Sequence, residues 1–344
     1  SSGFTGSMAA DFLGSSVTNL PELGDASAVL LSPLMEKRIG EEAMRQIKAR
    51  DPAYFDDPEL NDYLNTIGRR LVSAGGQSPA DFEFFAVKDD TINAFAMPGG
   101  FVGVNTGLLL AAQSESELAS VLAHEVSHVM QHHVARLFGK QSQLSAIGIA
   151  GLVVALLASK SGARGDLSQA AIMATQGGAI QAQLGYTREF EREADRIGFG
   201  VLQTAGFDVT GMVSFFERLQ KATRTYENNA PAYLRSHPLT SERIADIEDR
   251  VQGSTYRQYL DSTEFHLLRA KLRAEQGVAS EAVSYFKKQL ESGRYSSEQA
   301  VRYGLASAYL RNREFKVAQA VLSGPKLVHP MFKVLAVRIA AASG

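Results

Sequence analysis

Five residues in the first half of this 344-residue chain have types and spacing that suit joint chemistry: His124-Glu125-Val126-Ser127-His128. On a helix, four residues advance by about 400°, so both imidazoles leave one face about one turn apart and reach one metal ion. Glu125 then projects roughly 100° around from His124, beside the ion and not on it. A carboxylate placed there takes a proton from attacking water, the arrangement used for metal-assisted hydrolysis of peptide bonds. The chain has no cysteine, which excludes thiolate metal sites, disulfides and cysteine nucleophiles together. A metal must therefore be held by His, Asp or Glu.

The motif needs a helix under it. Ser114-Glu115-Ser116-Glu117 reads as a capping box, with Ser114 as N-cap and Glu117 reaching back. Leu118, Val121, Leu122, Val126 and Val129 recur at helical spacing, and no Pro or Gly interrupts until Gly139. A third ligand is required, since catalytic zinc commonly takes three protein ligands and water. His132 lies about 12 Å beyond His124 along a continuous helix, and His133 points to another face; both read as solvated or as supports behind the ligands. A third histidine ten residues after the first is ruled out, because Val134 stands there. His237, His266 and His329 remain, with the acids. The common alternative is a glutamate from a second helix, with an aspartate one turn on that orients a ligand histidine. Glu191 and Asp195 fit at i, i+4; Glu189 and Glu193 are alternatives that spacing does not exclude.

Around these residues the chain divides into three. Residues 1–32 read as a tag remnant (SSGFTGSM) and a loose lead-in without a signal peptide. Residues 33–255 hold the chemistry. Helices are expected from Pro33 to Ala49 and from Pro58, N-capped by Asp57, to Gly75-Gly76. Phe82–Val87 reads as a strand, and Asn93–Met97 and Phe101–Asn105 flank the turn Pro98-Gly99-Gly100 as a hairpin. The edge formed by Asn93, Ala94, Phe95 and Ala96 suits an extended peptide added as a further strand. Within 139–186, Leu144–Ala158 is uncharged but shorter than the roughly 20 apolar residues of a membrane span. Two readings compete there: a helical hairpin covering the cleft, which the missing basic flank favours, or peripheral contact with a membrane surface. His237, followed by Pro238, sits on a loop before a helix capped by Thr240 or Ser241. It could fill the open fourth position on a metal, donate to an oxyanion, or simply cap the loop; Arg243 and Tyr233 are further oxyanion candidates.

In residues 256–344, Ala270, Ala282 and Phe286 match Ala306, Ala318 and Leu322 at an offset of 36. This is tetratricopeptide-like spacing, and a helix over 328–342 would open a third unit of a stack that then stops short. Such stacks bind protein partners through a concave face. A net charge of −2 and scattered Lys and Arg argue against nucleic acid as a partner. The expected fold is mostly α (α+β): a zincin-like domain with a small sheet beside the motif helix, then helical repeats.

HEVSH, then Glu191-Arg192-Glu193-Ala194-Asp195 as ExxAD, preceded by Asn93-Ala94-Phe95-Ala96-Met97-Pro98-Gly99-Gly100, resembles the HtpX and CAAX-prenyl-endopeptidase family of zinc peptidases. The repeats and the Ser236-His237-Pro238 segment are most similar to its soluble periplasmic branch, which assists outer-membrane protein assembly. The resemblance covers residues 33–255 well and the repeats more loosely. It implies one zinc ion per chain on His124, His128 and Glu191, with Glu125 as general base and acid and Asp195 behind a ligand histidine. It also implies His237 as a fourth, restraining ligand in the resting state. Expected partners are unfolded or misassembled protein substrates and, through the repeats, an outer-membrane assembly machine. A pure assembly factor acting through its repeats is the alternative function.

Overall fold

The computed structural model describes residues 32–139, 186–225, 231–324 and 327–344. The lead-in and the apolar hairpin expected within 139–186 lie outside the described residues. Helix α1 (Pro33–Arg50) begins at Ser32, whose side chain accepts from the Met35 amide. A short strand β1 (Tyr54–Phe55) precedes α2 (Pro58–Ala74), where Asp57 accepts from the Glu59 and Leu60 amides as its N-cap. Then come β2 (Glu83–Val87), β3 (Ala94–Met97) and β4 (Phe101–Asn105), followed at once by α3 (Thr106–Ala111).

The strands form one mixed sheet in the order β1-β2-β4-β3. β2 and β4 run parallel, with Glu83 opposite Phe101, while β3 and β4 form the antiparallel hairpin read from the sequence. Its turn requires glycine: Gly99 and Gly100 both have φ near +90°, and a Cβ on Gly100 would lie 2.1 Å from the Asp81 carbonyl oxygen. β4 is central and buried on both faces, as its unbroken apolar run demands, and β3 is an edge. One face meets α1 through Met44, Ile47, Phe85 and Met97; the other faces the main core.

Helix α4 (Glu115–Met130) carries the motif. Ser114 accepts from the Glu117 amide as predicted, but the Glu117 carboxylate accepts from the Gln113 amide, one residue beyond the box expected from sequence. The helix also ends early. His132 takes a left-handed conformation (φ 52°), and a separate α5 (His133–Gly139) starts after it. No glycine or proline marks this break. The His132 ring is instead held 2.7 Å from Glu36 of α1.

α6 (Arg188–Thr204) packs antiparallel-fashion residues Glu191, Ala194, Asp195 and Gly198 against α4. A Cβ at Gly198 would lie only 3.2 Å from the His124 backbone nitrogen, so small residues let the two backbones approach. α7 (Thr210–Thr225), α8 (Ala232–Ser236) and α9 (Ser241–Gln252) complete this half.

The remaining helices are α10 (Thr263–Ala274), α11 (Ala279–Ser292), α12 (Glu298–Arg311), α13 (Phe315–Leu322) and α14 (Pro330–Ala342). They pair as the repeat spacing predicts: Ala270, Ala282, Phe286, Ala306 and Ala318 are all buried, and Leu322 is partly so. One apolar cluster runs from Leu60 to Ile339 across both halves. The buried Glu115, at the start of α4, accepts from the hydroxyls of Tyr63, Tyr259 and Ser262 at 2.5–2.6 Å. The head of the motif helix is thereby tied to the foot of the repeats.

Candidate metal centre

His124, Glu125 and His128 are all buried in the second half of α4, with His128 in its last turn. The two Nε2 atoms lie 2.9 Å apart. Glu191, one turn into α6, places Oε1 3.0 Å from His128 Nε2 and Oε2 3.2 Å from His124 Nε2. Glu189 is exposed, and Glu193 turns toward His133 and Arg136, so the alternatives left open by spacing fall away. Asp195 Oδ1 is 3.0 Å from His124 Nδ1, the far nitrogen of the ring, which fixes Nε2 as the atom facing the cluster.

His237 follows α8 and is also buried. Its Nδ1 lies 3.3 Å from His124 Nε2 and 2.9 Å from Glu191 Oε1, and its Nε2 lies 3.1 Å from Glu125 Oε1. One ring thus reaches both the ligand cluster and the neighbouring carboxylate. Ligand atoms from His124, Glu125, His128 and His237 fall within 4.8 Å of one another, the span of a single metal ion.

Aromatic rings wall the cluster. Tyr186 stacks on His128 with centroids 3.8 Å apart, and Tyr233 stacks on His237 at 4.3 Å. Tyr186 was not singled out from sequence; it precedes the N-cap Thr187 and has no periodic signal of its own. Arg243 has a different occupation from the oxyanion role considered above. Its guanidinium forms a fork on Asp195 (2.7 and 2.8 Å), reaches Glu191 Oε2 at 2.9 Å and donates to the Pro238 carbonyl. It braces the acids and the His237 loop together.

Of the two places left open for His133, solvated or behind the ligands, it takes the second. The break at His132 turns it inward, fully buried, with its Nδ1 2.7 Å from His128 Nδ1 and its ring stacked on Phe190. With Nε2 of His128 turned to the cluster, its Nδ1–H is the donor and His133 the acceptor. On a continuous helix that contact could not form. His132, half-exposed beside Glu36, stays outside the cluster.

The charges explain the protonation preferences. Burial pushes His128 and His237 down to about 4, and burial beside His128 pushes His133 down to about 3. Burial would also lower His124, but Glu191 and Asp195 outweigh it and raise it to about 10. Against the same burial, His237 and His124 hold Glu191 well below the usual carboxylate range, and Arg243 and His124 hold Asp195 down. The cluster holds ionised acids around a point that attracts a cation.

The edge strand β3 runs beside this cluster: Ala96 and His128 line the same small cavity of about 20 Å³. Asn93, just before the strand, is buried, and its side-chain amide has no hydrogen-bond partner among the described residues.

A motif helix whose two histidines meet a glutamate and an aspartate from a second helix, beside a small mixed sheet, is the site of the HExxH metallopeptidase class. The sequence profile of peptidase family M48 matches residues 58–251, and the chain belongs to that family. It is 33% identical over 311 residues to the beta-barrel assembly-enhancing protease of Escherichia coli, and 38% identical over 306 residues to a Vibrio cholerae protein provisionally given the same name. These alignments cover 89% and 88% of the chain but 62% of each relative's length. The mitochondrial metalloendopeptidase OMA1 of Schizosaccharomyces pombe is 30% identical over 219 residues, 62% of the chain and 60% of that protein. Among the described residues, no helix is long and apolar enough to cross a membrane.

Proposed function

We propose that this chain is a zinc endopeptidase of the periplasm that cleaves unfolded or misassembled outer-membrane proteins and is restrained at rest by His237. The observation that carries the reading is the cluster of His124, His128, Glu191 and His237. Zinc with bonds of about 2.0–2.1 Å in a tetrahedron separates its ligands by about 3.3 Å. The observed separations of 2.9–3.3 Å among these nitrogen and oxygen atoms fit that donor set. When bound, zinc supplies Lewis acidity, lowering the pKa of water and polarising the scissile carbonyl.

The rest is done by the protein. Glu125, held beside the ligand cluster, accepts the proton of the attacking water and delivers it to the leaving amine. Asp195 fixes the tautomer of His124, and Arg243 keeps Asp195 and Glu191 ionised and in place. The β3 edge receives the substrate backbone as an added strand, with the open amide of Asn93 at its start. Tyr233 is the remaining candidate to donate to the oxyanion. His237, with Nδ1 toward the cluster and Nε2 3.1 Å from Glu125, would join the residues that hold the metal, and would keep both water and the base from acting while it stays. The names of the bacterial relatives support a role in outer-membrane protein assembly, and helices α10–α14 suit a tetratricopeptide-like surface for a protein partner.

The test is degradation of unfolded casein by the wild type, Glu125→Gln and His237→Ala, with zinc measured on the same samples. Zinc near one per chain is expected, with Glu125→Gln slower by about 10²–10⁴-fold and His237→Ala faster than wild type. An unchanged or lower rate for His237→Ala would sink the restraint. Zinc without cleavage in any variant would favour a non-proteolytic assembly factor.

A further inference from the structure

A cavity of about 570 Å³ lies away from the histidine cluster, where the first helical hairpin meets the second. Helices α10 and α11 and the start of α12 enclose it against Leu110 and Gln113, on the segment that leads into α4. Arg269, Arg273 and Arg294 line it, with His266, Tyr285 and Tyr295, and among the described residues no aspartate or glutamate does.

Arginines elsewhere in the chain show the contrast. Arg243 is matched to Asp195 and Glu191, and Arg218 to Glu117. In the cavity, Arg269 donates to the carbonyls of Leu109 and Leu110, and Arg273 lies 4.0 Å from the Tyr285 ring centroid. Those contacts orient the guanidinium groups without neutralising them. Burial holds Arg269 below its ordinary value, and the opposing charges of Tyr285, Asp261 and Glu117 do not restore it. The positive end of α12 faces the same space, with Ser297 as its cap. Guanidinium forks pair with carboxylates in two parallel hydrogen bonds. The volume is that of a site for several side chains, larger than a single inorganic ion needs.

We propose that this cavity binds an acidic segment of a polypeptide, its carboxylates on Arg269, Arg273 and Arg294 and an adjoining apolar side chain against Tyr285 and Tyr295. The proposal adds a recognition site to the peptidase reading above and rests on it only for the identity of the bound protein as substrate or partner. Along α4, nine residues from Glu115 to His124 span about 13 Å. An extended chain advancing about 3.3 Å per residue therefore needs at least about four residues to pass from the cavity to the cluster.

The experiment uses the full chain carrying Glu125→Gln, so that binding is read without cleavage and its failure is distinct from a failure of catalysis. Fluorescence anisotropy would follow a labelled decapeptide of alternating Glu and Phe, its Gln-for-Glu counterpart, and both with free or amidated C-termini. Arg273→Gln with Arg294→Gln is expected to weaken the Glu peptide about tenfold or more, and Arg273→Lys with Arg294→Lys, which keeps the charge but not the fork, is expected to weaken it less. Loss on amidation would assign the terminal carboxylate; indifference to amidation would assign the side chains. Gln and Glu peptides binding alike, or the Gln double variant binding as tightly as its parent, would overturn the proposal. Complete displacement by equimolar inorganic phosphate would also overturn it, in favour of a small-anion site.

Discussion

At the histidine cluster the cations face anions about 3 Å away: Arg243 meets Asp195 and Glu191, and His124 meets the same two acids. In the arginine-lined cavity the cations face carbonyls, a tyrosine ring and open space. Burial explains the difference. A charge sealed from water costs several kcal/mol unless it is paired, so the closed cluster must carry its own counter-charges. A cavity open to solvent lets water bear that cost and keeps its charge available for something from outside. The first region is built to hold its geometry; the second is built to exchange what it holds.

The largest expected effect comes from the first region stripped of the metal proposed for it. In chelator, His128 and His237 (about 4) and His133 (about 3) refuse protons that an unfolded chain accepts near 6.5. Their contribution to stability is full above about pH 6.5 and is lost as pH falls toward 4 and then 3. His124, raised to about 10, works the other way: its contribution is full below about 6.5 and lost as pH rises through 10. Thermal melting of the chelated protein should peak near pH 6.5 and fall more steeply on the acid side. A flat profile from pH 6.5 to 4 would refute this.

Next in size is Arg243→Ala, which strands two buried acids and is expected to cost about 3–5 kcal/mol in denaturant unfolding. A smaller effect follows from His133→Ala. If the cluster holds a metal as proposed, removing the acceptor behind His128 should weaken metal affinity about 10–100-fold in a chelator competition, with folding of the metal-loaded protein preserved. Smallest is Arg273→Gln, expected to change stability by no more than about 0.5 kcal/mol. If it destabilised the fold as Arg243→Ala does, the contrast between a sealed and an open set of charges would be wrong.

Much of the cluster could be read from sequence because its spacing is set by helices. His124 and His128, and Glu191 and Asp195, are each one turn apart, and helical geometry leaves little freedom in where they point. The hairpin turn was equally readable, since Gly99 and Gly100 satisfy a backbone need that is local. The break at His132 was not. It depends on Glu36, almost a hundred residues earlier, and nothing nearby in the chain announces it. Whether His133 is solvated or stands behind the ligands is undecided by spacing for the same reason, since its placement follows from the break. Nor does the sequence show what Arg243, on the first turn of α9, is paired with: its acids, Glu191 and Asp195, come from another helix. The parallel pairing of β2 with β4, and the joining of α4 to the repeats through Glu115, are long-range consequences that local patterns do not encode.

The His237 ring presents one nitrogen to the ligand cluster and the other to Glu125. If it restrains the enzyme as proposed, its departure would admit water and release the base in the same movement. A molecule would then be either wholly silent or wholly competent, with no half-active form between. Whatever tugs on the loop would set the fraction of competent molecules and leave the chemistry within each unchanged. Titrated against such a trigger, turnover should climb while the Michaelis constant and the cleavage pattern stay fixed, as from a population of identical switches thrown one by one.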